Sequence, residues 1–201
     1  MAGWTNLTPS AGALAAGSAY LYEDAGALKY QGTSGSALTV ANADGTRPGW
    51  TLISSSTLST LSTVSFTSIP QTYTDLRVVV TGASSSAPSQ ISFRFGTSAI
   101  DTGSNYRSSY TTTGNFVWTA GSLTTSIIGG STATSWGLHI LDIPEYARTT
   151  GPKSVTGRFN VASVATGEIV HGTWIGNAIA YLNVITSVAW TGGNVYLYGK
   201  Y

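Results

Sequence analysis

Cysteine is absent from the 201 residues. That excludes a disulfide framework and any thiolate metal site. Charge is scarce as well: 8 % of residues are Asp, Glu, Lys or Arg, and the net charge is +1. Soluble domains usually carry about a quarter charged residues. There is no clustered basic face to neutralise phosphates, so nucleic acid is excluded as a partner. No apolar run approaches the ~20 residues that span a bilayer, and the Ala-rich stretch 11–19 is short and broken by Gly. The start, Met1-Ala2-Gly3-Trp4-Thr5-Asn6-Leu7, has no basic segment of the secretory type. The expectation is a soluble chain that does not engage a membrane and folds in the cytosol where it is made. No His-Glu-x-x-His, Gly-x-Ser-x-Gly or phosphate-loop spacing occurs. The expected catalytic, cofactor and metal residues are therefore none, and the chain is read as no enzyme.

What the chain does have is Ser, Thr, Gly and aromatics, with 24 Gly, 11 Tyr and 6 Trp. This composition favours packed strands and tight turns. Residues 1–49 differ in texture from the rest. An irregular arm is expected first, then strands at 19–23, 27–31 and 37–41 separated by Asp24-Ala25-Gly26 and Gly32-Thr33-Ser34-Gly35. A linker rich in turn formers follows at 42–49. A small meander buries little surface on itself, so this segment is expected to serve as an anchor that packs elsewhere.

From Trp50 onward, strands are expected at 51–57, 63–69, 75–81, 90–95, 106–111, 116–118 and 122–128. Further ones fall at 135–143, 154–165, 168–175, 181–189 and 194–198. Period-two alternation is clear in Leu138-His139-Ile140-Leu141-Asp142-Ile143 and in Val195-Tyr196-Leu197-Tyr198. Turn formers at 82–86 and at Gly192-Gly193-Asn194 read as chain reversals. Pro70 cannot donate to a ladder and belongs at a corner. Leu76-Arg77-Val78-Val79-Val80 reads as a strand buried on one side and partly covered on the other. Many short strands without a helical period give an all-β sandwich or barrel as the fold class.

Candidate chemistry is thin. His139 and His171 lie in strand patterns, which favours structural or solvent-facing roles over acid–base work. Asp142 and Glu145 are the closest carboxylates in the main domain, and a glycosidase pair needs a defined separation. Side-chain to backbone hydrogen bonds from Asp142 and Asp75 are the preferred reading. Asp101-Thr102-Gly103-Ser104-Asn105 offers oxygen atoms but no second acidic ligand for calcium. It reads as a turn with local Asp and Asn hydrogen bonds and Gly103 at positive φ. Most tryptophans are expected in the core. Trp4, Tyr20, Tyr22 and Tyr30 fall outside the main domain and are the candidate inter-subunit or partner contacts.

Phe66-Thr67-Ser68-Ile69-Pro70-Gln71-Thr72-Tyr73-Thr74-Asp75-Leu76-Arg77 resembles a group of tailed-bacteriophage virion proteins, including cyanophage ones. Asp101–Tyr106, Ile143-Pro144-Glu145-Tyr146-Ala147 and Tyr196-Leu197-Tyr198-Gly199 match later motifs of that group in the same order. Leu21–Gly32 is similar to short hairpins at the start of head-fibre and cement proteins. The resemblance implies a jelly-roll-like antiparallel β-sandwich body at 50–201 with an extended N-terminal arm and hairpin anchor at 1–49. It further implies a homotrimer on the virion surface, docked on the major capsid protein as a decoration (cement) protein. A tail-fibre or tail-adaptor role, with tail proteins as partners, and a host-glycan-binding module are the alternatives. The chain lacks a collagen-like or coiled-coil shaft, which favours the compact decoration form.

Overall fold

A computed structural model describes residues 19–24, 27–32, 37–41, 49–112, 115–117, 126–129, 133–161 and 166–201. The chain divides into two compact units, Met1–Gly49 and Trp50–Tyr201. In the first, β1 (Ala19–Asp24), β2 (Ala27–Gly32) and β3 (Ala37–Ala41) form an antiparallel meander in that order.

The second unit is an antiparallel β-sandwich. Its large sheet runs β4 (Trp50–Thr57), β16 (Trp190–Lys200), β6 (Asp75–Ser89), β12 (Leu138–Pro144), β13 (Lys153–Val161), β14 (Thr166–Trp174), β8 (Tyr106–Thr112), β9 (Asn115–Val117). The short β11 (Ala133–Ser135) also pairs with β6. The small sheet runs β10 (Ile127–Ile128), β7 (Ser92–Gly96), β15 (Tyr181–Ile185), β5 (Thr63–Phe66). The pairings nest: β4 with β16, β5 with β15, β6 with β12, and β7 with β10. Successive pairs thus alternate between the two sheets, as they do in a rolled-up long hairpin. The hairpins β8–β9 and β13–β14 are additions that widen the large sheet.

Alternation places the core. Leu76, Val78 and Val80 of β6, Leu141 and Ile143 of β12, and Val195 and Leu197 of β16 are buried on one face of the large sheet. The small sheet answers with Phe93 and Phe95 of β7 and Leu182 and Val184 of β15. Aromatic contacts bridge the layers: Phe93 to Phe159 at 6.2 Å and Phe95 to Trp174 at 5.9 Å between ring centroids. Gly172 of β14 leaves room for Ile127, whose side chain a Cβ there would meet at 2.6 Å.

Two expected reversals turn out to be bulges. β6 continues through Gly82, and β16 begins at Trp190 and runs through Gly192-Gly193. Gly82 (φ +56°) and Gly193 (φ +109°) each shift the alternation by one residue. Buried positions in β6 are even-numbered up to Val80 and odd-numbered from Ala83. In β16 they pass from Trp190 to Val195 and Leu197. An extra residue in a strand moves its side chains to the other face. Trp136 and Trp190 pack edge to face beneath this bend, centroids 5.8 Å apart. Trp136 sits between β11 and β12, where its amide donates to the Ala83 carbonyl at 2.8 Å.

Pro70 lies at the corner between β5 and β6, outside either strand. The buried Tyr146 donates its hydroxyl to the Pro70 carbonyl. Gln71 donates to the carbonyls of Ile69 and Ile179 at 2.8 and 2.9 Å. Tyr73 packs over Gly199, where a Cβ would meet its ring at 2.4 Å. Three of the four stretches that carry the phage resemblance thus meet at one corner of the sandwich, where they do structural work.

Candidate interaction face

With one face of the large sheet in the core, positions of opposite parity form its outer face. In three neighbouring strands these are Tyr196 and Tyr198 (β16), Arg77 and Val79 (β6), and Ile140 and Asp142 (β12), all half-buried. Cross-strand register sets Arg77 between Tyr198 and Asp142, and Val79 between Tyr196 and Ile140. Tyr196 and Tyr198 lie side by side with ring centroids 6.3 Å apart and planes at 33°.

Arg77 and Asp142 form a bidentate pair, Nε to Oδ1 at 2.6 Å and Nη2 to Oδ2 at 3.0 Å. The expectation that Asp142 bonds to the backbone is therefore corrected. Its partner is a guanidinium 65 positions away, brought opposite by the β6–β12 register. The side chains are 31 % and 42 % exposed, so the pair contributes no more than about 1 kcal/mol to stability. The Trp50 ring lies 4.2 Å from the Arg77 guanidinium carbon, a cation–π contact that ties the first strand of the unit to its middle. Asp75 behaves as expected, its Oδ1 accepting from the Glu145 amide at 3.2 Å. Glu145 pairs with Arg148 at 2.8 Å, so Asp142 and Glu145 each face a different arginine.

Further along the same face, Leu138, Ile140, Arg158, Asn160, Gly167 and Ile169 line an open groove of about 560 Å³. Leu138 and Ile169 are about half exposed.

The Asp101 loop is a closed network. Its Oδ1 accepts from the Gly103 amide at 2.8 Å, and its Oδ2 accepts from Asn105 Nδ2 and Trp174 Nε1, each at 2.9 Å. Burial pushes the carboxyl up, but the bonds from Trp174, Asn105 and Gly103 outweigh it and hold the pKa below the usual range. Gly103 is not at positive φ, contrary to expectation. It is glycine for space, since a Cβ would stand 3.1 Å from Asp101 Oδ1 and 3.2 Å from Asn105 Nδ2. Both carboxylate oxygens of Asp101 are thus engaged by donors.

His139 is buried between the sheets with its ring 4.9 Å from Phe159, and neither nitrogen has a partner among the described residues. His171 is exposed on the outer face. Among the described residues, no three His, Asp or Glu side chains cluster in a way that could hold a metal ion.

Trp4 lies outside the described residues. Tyr20 and Tyr22 fall on β1 and Tyr30 on β2. Tyr20 pairs with Gln31, Tyr22 with Lys29, and Leu21 with Tyr30 in the β1–β2 register. Of the expected core tryptophans, Trp136, Trp174 and Trp190 are buried, Trp50 is half-buried, and Trp118 lies outside the described residues. The tyrosines on the outer face were not among the candidates. Their signal was the Tyr-Leu-Tyr alternation at 196–198, which marks two aromatics on the face opposite a buried leucine. No family model, no curated protein and no solved structure matches this chain.

Proposed function

We propose that the chain is a non-enzymatic structural protein of a tailed-bacteriophage virion, a trimeric decoration protein that docks on the major capsid protein through residues 1–49. The observation that supports this reading best is the division at Gly49 into a β-sandwich body, whose nested pairing is consistent with a jelly roll, and a small meander. Jelly rolls are recurrent building blocks of viral surfaces. A three-stranded unit of short strands gains most of its stability from what it packs against. Joining three such anchors through one trimeric body raises the effective concentration at the second and third sites once the first is bound. A body poor in charge and rich in hydroxyls suits close approach of many copies on one lattice, because little like-charge repulsion opposes it.

The test is deletion of residues 1–45. The truncated chain, checked for β structure by circular dichroism, is expected to remain a trimer and to lose co-sedimentation with capsids. Capsid binding as strong as that of the full chain overturns the anchor assignment. Recovery of the full chain on tails instead of heads moves the reading to a tail adaptor.

A further inference from the structure

We propose that the outer face of the large sheet around Tyr196, Tyr198 and the Arg77–Asp142 pair binds a neutral saccharide. This inference stands apart from the virion reading, because it rests on side chains of the body alone. The two tyrosine rings, 6.3 Å apart on one strand and inclined by 33°, make a platform two rings long. An aromatic face accepts the apolar C–H face of a sugar ring, while the phenol hydroxyl remains free to bond its polar rim. Neither phenol hydroxyl has a hydrogen-bond partner among the described residues.

Register places the polar half of the site directly beside the platform, since Tyr198 is opposite Arg77 and Arg77 is opposite Asp142. The bidentate contact uses the guanidinium Nε and Nη2, leaving the donors of Nη1 and a further Nη2 hydrogen. The carboxylate keeps additional lone pairs on both oxygens. Donors and acceptors side by side in one plane suit adjacent hydroxyl groups, which both donate and accept. Trp50, stacked on the guanidinium at 4.2 Å, holds that plane in place before any ligand arrives.

Charge selects the class of ligand. Arg77 and Asp142 neutralise each other, so the pair itself offers an anionic glycan or a phosphate no net attraction and sets a carboxylate in its way. A second copy of the chain is the competing occupant, and the same variants separate the two.

The full chain is applied to an array of neutral gluco-, galacto-, manno- and N-acetylglucosamine oligosaccharides, with acidic polysaccharides alongside, and bound probes are titrated by tryptophan fluorescence. Binding to neutral probes is expected. It is expected to weaken at least about tenfold in Tyr196→Ala and in Tyr198→Ala, and to stay within about threefold in Tyr198→Phe, which keeps the ring. Tyr198→Phe also reports whether the strand tolerates change, since its volume is conserved. Three results overturn the site: no neutral probe bound by the wild-type chain, alanine variants that bind as well as wild type, or a preference for acidic probes. Alanine variants that change the sedimentation mass without changing saccharide binding assign the face to a second copy and overturn it equally.

Discussion

Acidifying the wild-type protein from about pH 7 to about pH 4.5 is expected to cost on the order of 3 kcal/mol of folding stability through His139 alone. The residue is 1 % exposed, and burial pulls its pKa down to about 3. In the unfolded chain the imidazole titrates near the ordinary value of about 6.5. Between those two values the unfolded state holds a proton that the folded state refuses, so stability rises with pH. The His139 contribution is complete above about pH 6.5 and is lost progressively as pH falls toward about 3. The buried Glu168 stands beyond Phe159 in the same cross-strand row. The comparison with His139→Leu isolates the histidine. That variant is expected to lose the upper part of the pH dependence. At neutral pH it is expected to match or exceed wild type by about 1 kcal/mol, because it removes two buried nitrogens that have no partner. Urea unfolding of both proteins at the two pH values is the measurement. Equal pH dependence in the two would show that His139 is hydrated or paired in solution.

Gly193→Ala is expected to destabilise the protein by about 3 kcal/mol or more, whereas Gly82→Ala costs only about 1–2 kcal/mol. Both glycines have positive φ and both sit at the bend of the large sheet. They differ in space. A Cβ on Gly82 meets nothing within 4 Å, so only the left-handed backbone is penalised. On Gly193 it would stand 2.6 Å from the Ala83 Cα and 2.8 Å from the Ala83 nitrogen, backbone atoms of a paired strand that cannot rotate away. Relief would require moving β16 off β6 where Trp190 and Trp136 are packed, and would disturb the shift in alternation that keeps Trp190, Val195 and Leu197 all in the core. Thermal and urea unfolding of the two variants check the ordering. Equal losses would mean that the β16 bulge relaxes without cost.

The same glycines show where sequence reading stopped. Alternation in Leu76-Arg77-Val78-Val79-Val80 and in Val195–Tyr198 correctly separated inner from outer positions, because period two is a local property. It failed at Gly82 and at Gly192-Gly193, since a glycine that bends a strand and one that reverses the chain look alike until the partner strand is known. The same limit hid the Arg77–Asp142 pair, whose members are distant in sequence and meet only through the nested pairing of β6 with β12. Asp101 and Asn105 were legible as a local hydrogen-bonded loop because both are close in sequence. The contact from Trp174, 73 positions away, was not. Tyr196 and Tyr198 were visible as an alternating pair, but their place on an open face beside an ion pair follows from strand order. The motifs that carry the phage resemblance were legible as a pattern, and the contacts of Pro70, Tyr146 and Gly199 explain the pattern by the demands of a corner. They speak for the architecture of the body more directly than for its role.

The central claim, a trimeric decoration protein of a virion, is tested most directly by weighing the chain in solution and counting it on purified particles. The account predicts a mass of three chains by sedimentation equilibrium, and a copy number per virion that scales with the capsid lattice. A monomer in solution, or a copy number confined to the few positions a tail provides, would contradict it.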